Sequence, residues 1–168
     1  MERQQLKHIL ATFYIRELKM NKRYHNLANI VFDMVALNTE TNIHRQEAMN
    51  ALPVIARATE YQTISYNPGR QCGKTTLISR IIDKGDLVLT YNLASQKKLE
   101  DLIKAQSPHS HPIPVCNVRA LAVEYFDDNI LQFYDTIWVD EPSCMLDDAI
   151  ALIYKTFAGK CNRFVFLG

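Results

Sequence analysis

The stretch Asn67-Pro-Gly-Arg-Gln-Cys-Gly-Lys-Thr-Thr76 combines glycines, one lysine and two threonines in an order that suits one kind of ligand. A glycine-rich turn between a strand and a helix leaves backbone N–H groups facing outward. The helix start adds the positive end of its dipole, so such a loop can surround phosphate oxygens. Lys74 would then reach the β- and γ-phosphates of ATP, and the Thr75 hydroxyl would ligate Mg²⁺. On this reading Gly69, Arg70, Gln71, Cys72, Gly73, Lys74, Thr75 and Thr76 form the nucleotide-binding loop. One departure stands out. The usual spacing asks for glycine five residues before Gly73, and the chain has Pro68 there, with Gly69 one place later and Arg70 and Gln71 inside the loop.

A second constellation lies downstream in Asp135-Thr-Ile-Trp-Val-Asp-Glu141, an apolar run ending in two adjacent carboxylates. Neighbouring residues at a strand end point in different directions, so the two acids can divide the work. Asp140 would hold magnesium through water, and Glu141 would orient and deprotonate an attacking water as general base. The remaining polar groups read as structural. His109 and His111 sit in a proline-rich loop with no carboxylate or cysteine nearby in sequence. Arg16, Lys19, Lys22 and Arg23 form a solvated helix face, Asp127, Asp128, Asp147 and Asp148 are helix-start or surface acids, and Trp138 is core. The four cysteines, Cys72, Cys116, Cys144 and Cys161, are too scattered for a zinc or disulfide framework and read as reduced, buried thiols.

The elements that must position these groups follow from periodicity. Over residues 2–60 the apolar spacing is helical: Leu6, Ile9, Leu10, Phe13, Ile15 and Leu18, then, after a break at Asn21, Leu27, Ile30, Val31, Met34 and Leu37. Asn38-Thr-Glu-Thr-Asn42 reads as a turn, with a third helix starting near Ile43. From Thr63 onward, strands at 63–66, 87–91, 115–118, 136–139 and 164–167 alternate with helices at 74–84, 95–106, 120–126 and 146–158. Gly85 and Gly159 stand where helices should stop. This alternation implies an α/β fold, a parallel five-stranded sheet with right-handed crossovers and helices on both faces. Residues 1–60 form a helical segment beside the core at 61–168, and the whole is best described as one domain.

The acid pair directly after a hydrophobic strand resembles the additional-strand, catalytic-glutamate branch of P-loop ATPases, which includes helicases, AAA+ proteins and viral packaging motors. Within it, Gly69-Arg-Gln-Cys-Gly-Lys-Thr-Thr76 is similar to the loop of the large terminase subunit of tailed bacteriophages, which often lacks the first glycine. Leu87-Val-Leu-Thr-Tyr-Asn-Leu-Ala-Ser95 resembles that family's next strand-loop motif, and Arg163-Phe-Val-Phe-Leu-Gly168 the strand leading to its coupling motif. The resemblance covers residues 46–168 and implies that the last strand inserts between the loop strand and the acid-pair strand. It also implies that Arg70 contacts the γ-phosphate in cis, which with Lys74 and Glu141 completes the catalytic set. A glutamine reading the adenine edge is implied too, with Gln46, in His44-Arg-Gln-Glu-Ala-Met-Asn50, first and Gln62 second. The implied activity is ATP hydrolysis coupled to double-stranded DNA translocation. Its implied partners are DNA, a portal and a small terminase subunit, with room for a homo-oligomer.

The chain stops at Gly168, before that family's coupling motif and nuclease domain, so an excised ATPase domain and a short relative with another job both remain open. Two alternatives stand beside the packaging motor. His44-Arg-Gln-Glu-Ala-Met also resembles the glutamine motif of superfamily-one-like helicases, and a nucleotide-gated regulatory module would bind ATP without turning over. Composition bounds all three. With 168 residues, 48% hydrophobic, 22% charged and a net charge of +1, the chain can bury a core and lacks a strongly basic nucleic-acid footprint. No signal peptide or membrane-length apolar run is visible, and a cytoplasmic location, in an infected host cell if viral, is expected.

Overall fold

The computed structural model describes residues 22–69, 72–106, 113–122 and 132–168. The helix expected around Leu6–Leu18 therefore lies outside the described residues, as do Arg16, Lys19, Arg70, Gln71, His109, His111, Asp127 and Asp128. The elements run α1 (Lys22–His44), α2 (Gln46–Asn50), α3 (Val54–Tyr61), β1 (Thr63–Tyr66), α4 (Lys74–Ile81), β2 (Leu87–Thr90), α5 (Leu93–Gln106), β3 (Val115–Asn117), α6 (Val118–Ala122), β4 (Tyr134–Asp140), a 3₁₀ turn (Pro142–Cys144), α7 (Asp147–Phe157) and β5 (Cys161–Leu167).

The five strands form one sheet in the order β1-β5-β4-β2-β3, every pair parallel, so the α/β architecture and the five-stranded parallel sheet are as expected. The last strand does lie between β1 and β4. The sheet is covered on both sides because period-two alternation sends each strand's apolar residues to two faces. One row, Ile64, Val165, Trp138, Val88 and Val115, runs straight across all five strands and meets Leu27, Val31 and Val35 of α1, Leu77, Ile78 and Ile81 of α4, and Leu99 of α5. The alternate residues Phe164, Phe166, Ile137, Val139, Leu87 and Leu89 meet α3, α6 and α7 through Ala58, Leu121, Ile153 and Phe157. Trp138 is accordingly a core residue, and its indole N–H donates to Asp86 Oδ2 at 3.1 Å.

Three local expectations need correction. Residues 38–42 are not a turn: α1 continues through them to His44. The amides of Asn38 and Asn42 both donate to the Tyr61 carbonyl, at 2.8 and 2.7 Å, which satisfies a carbonyl in the last turn of α3 and makes the helical course favourable. The helix after the loop ends at Ile81, short of Lys84, and Gly85 (φ 101°) belongs to the turn that leads into β2. Gly159 (φ 80°) does follow the end of α7, whose first turn holds Asp147 and Asp148. Among the cysteines, all free, only Cys161 is buried; Cys72 and Cys116 are half-buried and Cys144 is exposed.

Candidate functional site

In a parallel sheet all strands present their carboxyl ends at one edge, and residues that follow them converge there. That edge collects Gly69 and residues 72–76 after β1 and Asp140 and Glu141 at the end of β4. Parity explains which acid turns inward. Thr136, Trp138 and Asp140 share the β4 face that packs on α1 and α4, so Asp140 points to the side from which α4 starts. Thr75, in the first turn of α4, donates its hydroxyl to Asp140 Oδ2 at 2.9 Å, joining residues 65 positions apart.

The loop is built around two glycines in the left-handed region, Gly69 (φ 88°) and Gly73 (φ 90°), the latter standing immediately before α4. Leu77 N–H bonds the Gly73 carbonyl at 2.8 Å and begins the helix. Gly69 is held on both sides. Its N–H donates to Asn67 Oδ1 at 2.9 Å, and its carbonyl accepts from Lys74 Nζ at 2.8 Å and from Cys72 Sγ at 3.2 Å. Lys74, only 7% exposed, thus lies folded back across the loop.

Asp140 is 4% exposed, and its Oδ1 has no hydrogen-bond partner in the structure. Burial raises its pKa to about 6; the Thr75 hydroxyl opposes this, Glu141 adds to it, and Lys74 and Lys98 oppose it. Among the described residues no group of three or more His, Cys, Asp or Glu could hold a metal alone. What the chain offers is one buried carboxylate oxygen without a partner beside a hydroxyl. That donor set is too small for a caged ion but fits magnesium, which keeps several waters and takes its other oxygens from phosphates.

Glu141 departs from the strand. Its φ of 55° and ψ of 54° make it the one non-glycine residue with positive φ among those described. The turn is closed by Glu141 N–H to the Leu167 carbonyl at 3.0 Å and by Cys144 N–H to the Glu141 carbonyl at 3.0 Å. Its side chain is half-exposed, with Cys144 Sγ at 3.9 Å from Oε2. Beside this turn, on the α7 face, a cleft of about 400 Å³ opens between Ser65, Asn67, Pro142 and Phe166.

The structure brings Gly69, Cys72, Gly73, Lys74, Thr75, Thr76, Asp140 and Glu141 to one edge of the sheet, and it does not bring the glutamines there. Gln62 directly precedes β1 and so lies at the opposite, amino-terminal edge, its side-chain oxygen buried without a partner. Gln46 follows the end of α1 that bonds Tyr61, again on the amino-terminal side, and its exposed amide bonds Asn50 Oδ1 at 3.3 Å. The residue that motif reading missed is Asn67. Its signal was present, since Asn-Pro-Gly is a turn sequence in which the Asn side chain bonds the backbone two residues on. No protein-family model matches this chain, and a search of curated proteins finds no match.

Proposed function

We propose that this chain is a P-loop ATPase domain of the additional-strand, catalytic-glutamate class. The observation that carries the reading is the hydrogen bond from Thr75 to the buried Asp140, because it joins the end of the glycine loop to the acid pair as one site. Three further features support it: the buried Lys74 at the start of α4, the position of β5 between β1 and β4, and the unpartnered Asp140 oxygen.

In this reading the loop amides and the α4 start receive the phosphates, and Lys74 exchanges its Gly69 carbonyl for the β- and γ-oxygens. Thr75 and Asp140 hold magnesium, which when bound neutralises charge on the phosphates. Glu141, at the open end of β4, orients a water and accepts its proton as the oxygen attacks the γ-phosphorus and the bond to ADP breaks. Arg70, by the resemblance, adds positive charge at the γ-phosphate, where a planar fork can span two oxygens.

At the finer level we assign the domain to the motor of a viral DNA-packaging terminase, with double-stranded DNA as its track and a portal and small terminase subunit as partners. This rests on the Gly69-Arg-Gln-Cys-Gly-Lys-Thr-Thr76 loop and on the succession of motifs after it. Magnesium-dependent ATP hydrolysis by the purified chain is the direct test. Lys74→Ala should remove tight ATP binding and turnover, since no other described loop residue can neutralise the phosphates. A folded Lys74→Ala protein that binds and hydrolyses ATP like the parent would overturn the assignment. DNA affinity of the isolated chain should be feeble and fall steeply with salt; salt-resistant, sequence-specific binding would point to a regulator instead.

A further inference from the structure

We propose that Asn67 is a positioning residue for the phosphate loop, replacing by a side-chain hydrogen bond the glycine that the usual spacing puts at position 68. The inference rests on the ATPase reading above and goes beyond it to a residue outside the motif. Pro68 fixes its own φ near −65° and removes a backbone donor, so position 68 cannot take the left-handed conformation that a glycine would allow. The structure moves that conformation one residue on, to Gly69 at φ 88°, where a Cβ would meet nothing within 4 Å and only backbone strain demands glycine. Asn67 Oδ1 accepts the Gly69 N–H at 2.9 Å and so fixes the rotation of the peptide plane that starts the loop.

The carbonyl of the same residue accepts the Lys74 ammonium at 2.8 Å and the Cys72 thiol at 3.2 Å. Gly69 therefore links Asn67 to the buried lysine: the asparagine sets the glycine, and the glycine sets where the ammonium rests. That a ligand belongs here is indicated independently by Asp140, 4% exposed with an unpartnered oxygen beside the first turn of α4. Without the Asn67 bond the Pro68–Gly69 peptide plane loses its anchor, and the start of the loop has to be ordered by the phosphates instead of meeting them preformed. The effect belongs to phosphate binding and not to the fold, because Asn67 and Gly69 are both exposed and neither is part of the core.

The test uses the whole chain, magnesium and two probes, ATP and inorganic tripolyphosphate. Asn67→Ala should weaken both by about 5- to 10-fold, the size of one hydrogen bond, with an unchanged melting temperature. Asn67→Ser, whose hydroxyl can accept the same N–H, should recover most of the loss. Asn67→Ala binding both probes like the parent, while Lys74→Ala loses them, would overturn the role of Asn67 and leave the ATPase reading standing. A fall in melting temperature in parallel with affinity, without rescue by serine, would overturn it in favour of a purely structural residue. If the parent binds neither probe, the ATPase reading fails and this inference falls with it.

Discussion

Glu141 holds a backbone conformation that costs a residue with a Cβ about 1–2 kcal/mol, and the surrounding contacts sustain it. Its N–H is tied to β5 and its carbonyl to Cys144, so the end of β4 cannot relax to an extended course without losing both bonds. The strain has a consequence for chemistry. It separates two adjacent acids into a buried one facing Thr75 and a half-exposed one at the open edge. The two should therefore fail differently when neutralised. Glu141→Gln keeps the size of the side chain but cannot accept a proton, so single-turnover hydrolysis should fall by about 10²- to 10⁴-fold while ATP affinity stays near normal. Asp140→Asn should instead weaken the magnesium-dependent part of ATP binding. Measuring affinity with and without magnesium beside single-turnover rates separates the roles. Hydrolysis by Glu141→Gln at the parental rate would exclude it as the base.

Helix α1 shows how an element can be decided by its neighbour. Asn and Thr compete with the backbone for hydrogen bonds and are poor helix formers, so residues 38–42 read locally as a turn. In the folded chain their bonding groups find partners that a turn would not supply. Thr39 Oγ1 donates to the Val35 carbonyl at 2.8 Å, Asn42 donates to Asn38 Oδ1 at 3.2 Å, and both asparagines reach the Tyr61 carbonyl. The joint role predicts more-than-additive loss. Asn38→Ala and Asn42→Ala should each cost about 0.5–1.5 kcal/mol, and the double variant more than their sum, because either amide alone still satisfies Tyr61 and only the double variant leaves that carbonyl without a side-chain donor. Denaturant midpoints of the three variants check this; full additivity would mean that the two bonds act independently. The strands, by contrast, were readable within a few residues, because the three central ones, β2, β4 and β5, hold apolar runs buried on two faces.

Across the whole molecule the two cores are joined by a single sheet, and the row containing Trp138 carries one polar contact into the interior. Asp86, 7% exposed, accepts from the Trp138 indole and from the Asp83 amide. Burial raises its pKa to about 6, the two hydrogen bonds oppose the rise, and Asp135 and Asp83 add to it; Arg163 is the cation facing the same cluster. A raised carboxylate pKa means that the folded chain holds this proton more tightly than the unfolded one. Its contribution is therefore fully present below about pH 4 and lost as pH rises through about 6, a change of about 3 kcal/mol. Asp140, also raised by burial, adds a fall of the same sign. The part belonging to Asp86 is the difference between the parent and Asp86→Asn, measured as unfolding free energy from pH 4 to 8 in magnesium-free buffer. Asp86→Asn should flatten the fall; an identical pH dependence in both proteins would show that Asp86 does not titrate in this range.

The sequence by itself determined the residue types and their local period: a strand, a glycine loop and a helix start around Lys74, and an apolar run ending in Asp140 and Glu141. These are short-range patterns, set by side-chain alternation and by the conformational freedom of glycine, so they can be read without knowing the fold. The placement of β5 between β1 and β4 was legible only through resemblance, since nothing in an isolated parallel strand names its neighbours. Tertiary structure alone decided the rest. It set Thr75 against Asp140, turned Glu141 into the left-handed region, bonded Asn67 to Gly69, and left Gln46 and Gln62 at the far edge of the sheet. Each of these, the Asn67 bond apart, depends on contacts between residues distant in the chain. Those contacts are chosen by burial and hydrogen bonding of the whole chain at once, a selection that no local window of sequence contains.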